Sequence, residues 1–244
     1  MGKDKLVENE TAAIGAEFMH GLAIDAVIFG FHDHQLKVLL MRYNKTGVVA
    51  LPGGFIHKNE NLNNAANRIV SERTGLEDIY LEQFYVFGDH GRSDPQPMKD
   101  ILTANNIKHD DDHWLLQRFI SVGYYALVDF TKAAPNPDRI FDSCDWYDLA
   151  NVPQLMQDHN LIVQKGLLSM RSDLDNKLIA FNLMQKEFTL GDLQILYETI
   201  LDKKLLRPAF QRKMLSLGIL ERVAKKWTGA AHKAPYLYRF SNNI

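Results

Sequence analysis

The stretch LPGGFIHKNENLNNAANRIVSERTGL, Leu51–Leu76, leaves the chain few ways to fold. An apolar run of strand length, Val48–Leu51, ends in two successive glycines, Gly53 and Gly54. A helical pattern over Asn61–Thr74 follows and is stopped by Gly75. Strand, tight loop, helix and turn in this order need a sheet for the helix to pack on. Four further runs supply it: Leu22–Phe31, Lys37–Arg42, Ile79–Phe87 and Ser121–Phe130. A second helix is expected over Asp158–Arg171, with Leu161, Val163, Leu167, Leu168 and Met170 as its apolar face. Strands enclosing two helices indicate an α/β or α+β domain over roughly residues 20–170. Residues 93–118 read as a polar surface excursion, and the first 18 or so as a loose arm.

The last quarter follows another plan. A short helix (Asn176–Met184) leads to Thr189, a good N-cap for Leu190–Leu201, where Leu193, Leu196, Tyr197, Ile200 and Leu201 form one stripe. Pro208 opens a further helix that ends at Gly218, and strand-like runs Ile219–Val223 and Tyr236–Phe240 flank a polar loop. Three helices and a basic hairpin are the layout of a winged helix-turn-helix. The charge agrees. Residues 181–244 carry 11 Lys+Arg against 5 Asp+Glu, while the whole chain sits at −2. A basic appendage on an acidic body points to nucleic acid.

Composition narrows the rest. With 244 residues, 46% of them hydrophobic and 24% charged, the chain can bury a full core, which excludes wholesale disorder. One cysteine, Cys144, excludes an internal disulfide framework and a multi-cysteine zinc site. Its neighbours Asp142 and Asp145 disfavour the thiolate and thus a nucleophilic role. No run approaches the roughly 18 apolar residues of a membrane span, so no membrane partner and a cytoplasmic location are expected.

Within GFIHKNENLNNAANRIVSERTGL, the residues Gly54, Glu60, Arg68, Val70, Glu72, Gly75 and Leu76 resemble the signature of the Nudix hydrolases. The resemblance implies an α/β/α sandwich in which glutamates on one helical face hold divalent metal against a pyrophosphate. Positions 69, 72 and 73 stand at i, i+3 and i+4. They are Ile69, Glu72 and Arg73, so two of three carboxylates are absent and one has become a cation that repels metal. No enzyme activity, metal or cofactor is therefore expected. A shifted metal site using Glu60, Glu72 and Asp89 is the alternative. Glu60 and Arg68 should pair to pin the loop onto the helix. His109 and Asp110–His113 form only a loose cluster of metal-ligand residue types.

An altered Nudix box followed by a basic winged helix resembles the Nudix-related transcription regulators of the NrtR type. The closest part is KEFTLGDLQILYETILDKKLLRPAFQRKMLSLGILE with PYLYRF. That resemblance implies a homodimer, a repressor on a palindromic operator, released when the Nudix domain binds a metabolite. Members sense ADP-ribose or related nucleotides, and a branch with altered boxes senses sugars such as arabinose. The expected fold is α+β: a Nudix-like sandwich over residues 1–172 and a winged helix over 173–244. A pentose such as L-arabinose is the expected effector. ADP-ribose sensing and hydrolysis of a nucleoside diphosphate derivative are the alternatives, with a tethered nucleic-acid-processing enzyme third. Asp25, Arg42, Phe55, Asp89, His90, Arg92 and Tyr124 are the candidate effector contacts.

On the helix opened by Pro208, Phe210, Met214 and Leu217 share one face, which turns Arg212 away, flanked by Gln211, Lys213 and Ser216. Arg and Gln make bidentate contacts to guanine and adenine edges. Arg207 at the helix start and Lys225, Lys226, Thr228 and Lys233 around the wing are suited to phosphates.

Overall fold

The computed structural model describes residues 15–132, 141–175, 183–226 and 234–241. Thr228, Lys233, the loose arm up to residue 14 and most of the helix expected over 176–184 lie outside these residues.

The first domain is built on a seven-stranded sheet of β1 (Phe18–His32), β2 (Gln35–Tyr43), β3 (Val49–Ala50), β4 (Gly53–His57), β5 (Glu82–Phe87), β6 (Ile120–Asp129) and β7 (Phe141–Asp148). The order is β3-β2-β1-β6-β5, with β4 added to β1 and β7 to β2. The central pair, β1 and β6, runs parallel from Leu22↔Ile120 to Phe31↔Asp129. Both strands are apolar on each face because both faces are covered.

The period of two sorts the side chains. Ile24, Ala26 and Ile28 pack toward α1 (Leu62–Thr74), against Ala65, Ala66, Ile69, Val70 and Leu76. Val27 and Phe29 pack on the other face with Ile162, Val163 and Met170 of a helix at His159–Asp173. Asn61 caps α1 by accepting from the Asn64 amide, and Gly75 ends it at φ 68°, a conformation that suits glycine. The His159–Asp173 helix buries His159, Ile162, Val163, Gly166 and Met170, whereas Leu161 and Leu168 are exposed. Of the expected apolar face, Val163 and Met170 are buried and Leu167 packs against the core, while Leu161 and Leu168 are not part of it.

The polar insertion is more than a surface excursion. It forms α2 (Gln96–Ala104), which buries Ile101 and Leu102, so the helix that begins at His159 is α3. Further along, Trp114 stacks on Phe18 at 5.9 Å and meets Phe55 edge-on at 4.7 Å. Scattered apolar residues in a polar segment carry little periodic signal, which hid this packing from sequence.

The second domain holds α4 (Leu190–Leu201), α5 (Arg207–Ser216) and a three-stranded sheet ordered β8 (Phe188–Thr189), β10 (Tyr236–Phe240), β9 (Leu220–Lys225). Thr189 and Asp192 form a reciprocal capping box at the start of α4. Leu193, Leu196, Tyr197 and Ile200 are buried, and Tyr197 meets Phe210 of α5 edge-on at 5.2 Å. The α4–α5 turn is pinned by Glu198, which accepts from the Leu205 amide (2.9 Å), Gln194 (2.8 Å) and Lys204 (3.0 Å). Led by the Leu205 bond, these partners hold the Glu198 carboxyl down at about 2.

Candidate ligand cavity and nucleic-acid interface

The signature segment keeps its scaffold. Arg68 grips Glu60 with two bonds, Nε to Oε1 at 2.9 Å and a terminal nitrogen to Oε2 at 2.8 Å, and also donates to the Phe55 carbonyl at 2.9 Å. The Arg68 hydrogen bond holds the Glu60 carboxyl below the usual carboxylate range. Loop and helix are thereby pinned together.

The three positions expected to converge do not. Ile69 is 2% exposed, among Ile24, Ile56, Ala65, Ala66, Val122 and Tyr124, and lies against the bare α-carbon of Gly54. A Cβ on Gly54 would come within 3.0 Å of Ile69. Glu72 is exposed and paired with Arg68 at 3.2 Å. Arg73 stacks over the Phe141 ring at 4.9 Å. Asp89, the distant acid of the alternative metal site, caps its own turn by accepting from the Gly91 amide at 2.8 Å. Among the described residues, no group of three or more His, Cys, Asp or Glu is placed to hold a metal ion, and no helix is long and apolar enough to cross a membrane.

The seven candidate effector contacts are not brought to one cavity. Asp25 and Tyr124 are both buried and face opposite sides of the sheet, because Asp25 is level with Gly123 and the next residue points the other way. Tyr124 donates to Asn63 at 2.9 Å behind α1. Arg42 donates to the Tyr147 hydroxyl at 2.9 Å. Phe55 belongs to the Trp114 aromatic cluster, and His90 is exposed beside Asp89. Of the seven, only Arg92 lines a cavity that opens beside Gly47–Val49.

That cavity, about 500 Å³, lies between three segments: Gly47–Val49, the stretch holding Gly91, Arg92, Asp94 and Pro97, and the loop Gln154–Asp158. Arg92, with its side chain 3% exposed, forms its inner wall. Its guanidinium meets Asp158 in two bonds of 2.9 Å, donates to the Phe119 carbonyl at 2.8 Å and lies 3.6 Å from Asp25. Asp25 also accepts from Ser121 at 2.5 Å and lies 3.6 Å from His159 Nε2. His159 Nδ1 accepts from the Leu51 amide at 3.0 Å, which places the ring proton on Nε2, toward Asp25. Gly53 is required beside this network, since a Cβ there would sit 2.7 Å from Asp25 Oδ1. The charges are buried as partners of one another, the arrangement that makes burial tolerable. Sequence reasoning missed Asp158, His159 and Ser121. A pairing across 66 residues, such as Arg92 with Asp158, leaves no local pattern.

On the second domain, α5 buries Phe210 and Met214 and exposes Arg207 and Arg212; Gln211 is half-buried and Leu217 is exposed. Lys213 is exposed and pairs with Asp175. Lys225 and Lys226 are exposed. Arg222, absent from the expected set, is exposed and stacks on Tyr236 at 4.0 Å. Cys144 is half-buried, and burial first and Asp145 second push its thiol up to about 12. The acids alone had been the expected cause.

A strand-rich sandwich with a pinned signature loop, followed by a capped helix pair and a small wing sheet, defines a two-domain architecture. The comparisons agree. The NUDIX domain model matches residues 19–165, and the NrtR DNA-binding winged helix domain matches residues 180–240. The chain belongs to the Nudix family, in its NrtR-type branch, with a Nudix domain followed by an NrtR winged helix domain. It is 29% identical over 227 residues to the "ADPR responsive transcriptional repressor NtrR" of Acinetobacter baylyi, covering 90% of this chain and 82% of that protein. The crystal structure of Shewanella oneidensis NrtR superposes with a TM-score of 0.65 at 26% identity, covering 91% of this chain and 94% of that one. The same protein complexed with a 27mer DNA gives 0.65 at 24% identity over 90% and 93%, a likeness of fold.

Proposed function

We propose that this chain is a ligand-responsive transcriptional repressor that binds operator DNA through its winged helix and senses a small molecule with a non-catalytic Nudix domain. The observation that carries the DNA half is α5, with Phe210 and Met214 buried and Arg207 and Arg212 facing solvent. Arg212 is the base-reading residue, and Arg207, Lys225 and Lys226 meet phosphate. The chain acts as a homodimer on a palindrome, because one recognition helix reads only a half-site. We divide the chain at residues 172/173.

Hydrolysis is disfavoured by Ile69, which fills a metal-ligand position with apolar packing, and by Arg73. The first candidate effector is ADP-ribose, on the strength of the Acinetobacter baylyi relative's name. This revises the sequence-based preference for a pentose. A specific observation keeps L-arabinose as the second reading: the cavity's cation, Arg92, is already engaged by Asp158, and Asp94 adds another carboxylate to the wall. Such a lining suits neutral hydroxyls better than a pyrophosphate. Calorimetry of the full chain with ADP-ribose and L-arabinose, beside a hydrolysis assay with magnesium or manganese, tests the proposal. Binding of one ligand without turnover is expected. Metal-dependent turnover abolished by Glu72→Gln would restore the hydrolase.

A further inference from the structure

The helix α3 connects the cavity to the DNA-binding domain at both of its ends. At the cavity end, Asp158 immediately precedes the helix, yet its carboxylate makes no cap bond and is spent on Arg92. His159 is tied to Leu51, and Asn160 bridges the cavity loop, accepting from the Leu155 amide at 2.8 Å and donating to the Pro153 carbonyl at 2.9 Å. The first turn of α3 is thus bonded to the loop that lines the cavity.

At the far end, Arg171 Nε donates to the Ile200 carbonyl of α4 at 2.7 Å. The Tyr197 hydroxyl donates to the Leu174 carbonyl at 3.2 Å, and Asp175 pairs with Lys213 on α5. Leu174 is 1% exposed, in one apolar cluster with Leu196, Tyr197, Ile200, Phe210 and Met214. Between these ends lie fifteen helical residues, about 22 Å at 1.5 Å rise each. Midway, Gly166 lets the helix close onto the sheet, where a Cβ would stand 3.1 Å from Val27.

We propose that α3 transmits ligand binding to the recognition helix: a ligand that competes for the Arg92–Asp158 pair shifts α3 on its Gly166 contact and moves α5 through Arg171, Leu174 and Asp175. Helix shifts of about 1–2 Å are a common form of such switching. This inference rests on the sensor reading above, so its test uses neither ligand nor DNA.

Hydrogen exchange read by mass spectrometry on the full chain compares wild type, Asp158→Asn and Arg171→Met. Asp158→Asn weakens the cavity end and is expected to change exchange in residues 199–216 by about fivefold or more, the lower range of allosteric coupling. It leaves a buried guanidinium underpaired and threatens the fold. Arg171→Met, which keeps the apolar stem, is therefore the second arm. Reciprocity requires it to change exchange in residues 154–158. Changes confined to residues 88–94, 119–121 and 150–162 in the first variant, with 154–158 unchanged in the second, would overturn the proposal. Failure of the sensor reading shows separately, as DNA binding that no small molecule alters while the exchange coupling persists.

Discussion

Placing a carboxylate at position 69 should damage the fold before it creates a catalyst. Ile69 is 2% exposed against Ile24, Ile56, Val122 and the α-carbon of Gly54. Ile69→Glu forfeits the transfer free energy of a fully buried aliphatic side chain, about 1.5–3 kcal/mol. It also buries a carboxyl with no partner of its own, about 1–3 kcal/mol in mutational data. The sum, roughly 2.5–6 kcal/mol, is a large part of the roughly 5–15 kcal/mol that holds a domain together. Ile69→Val, at about 0.5–1.5 kcal/mol, is the control for packing alone. The introduced carboxyl would have its folded pKa raised above an unfolded value of about 4.3, so its cost should grow as pH rises through that window. Urea denaturation of both variants and of Ile69→Glu/Arg73→Glu, with and without manganese, measures this. The reasoning fails if the double variant is as stable as wild type, gains stability from manganese and hydrolyses ADP-ribose.

Glu198→Gln should flatten the acid limb of stability: a carboxyl held at about 2 when folded, against an ordinary value of 4.5, stabilises above pH 4.5 and loses that contribution as pH falls toward 2. Denaturation midpoints across that range check it. Glu60→Gln should act in the same direction, since Arg68 depresses Glu60 too, and thermal melts at pH 7 and 4 compare the two. Arg212→Ala should cost about 1–3 kcal/mol of DNA binding and relax base preference at one position per half-site, whereas Lys226→Ala should weaken all sequences evenly and lower the salt slope by about one. Lys213→Ala should change that slope less than Lys226→Ala, because Lys213 is held by Asp175. The Cys144 thiol, raised to about 12, should react with a disulfide reagent at pH 8 far more slowly than in denaturant.

Sequence revealed what repeats locally. The apolar runs of β1 and β2, the Asn61 and Gly75 ends of α1, the Thr189 cap and the Leu193–Ile200 stripe are signals within a few residues, and the structure places elements there. The short strands β4 and β8 escaped, and so did β7, whose polar sequence FDSCDWYD earns its place by pairing with β2 from Lys37 to Tyr43. The face of α3 was legible at Val163, Leu167 and Met170 but not at its edge, where the sheet takes Gly166 and His159 while Leu161 and Leu168 stay exposed. The cavity was the least legible part. Arg92 was identified as a candidate, but Asp158 and His159 become its neighbours only when the sheet closes. The partner of Lys213 was equally illegible, because nothing in its own helix announces Asp175, 38 residues earlier.

The proposed function requires one chain both to read DNA and to answer to a ligand. Fluorescence anisotropy of a labelled operator, selected from random DNA with the full chain, tests it most directly. The expected result is a complex of two chains per palindrome, weakened by Arg212→Ala and released by ADP-ribose or L-arabinose without turnover of either. Binding with no sequence preference, indifferent to Arg212→Ala and to both ligands, would contradict it.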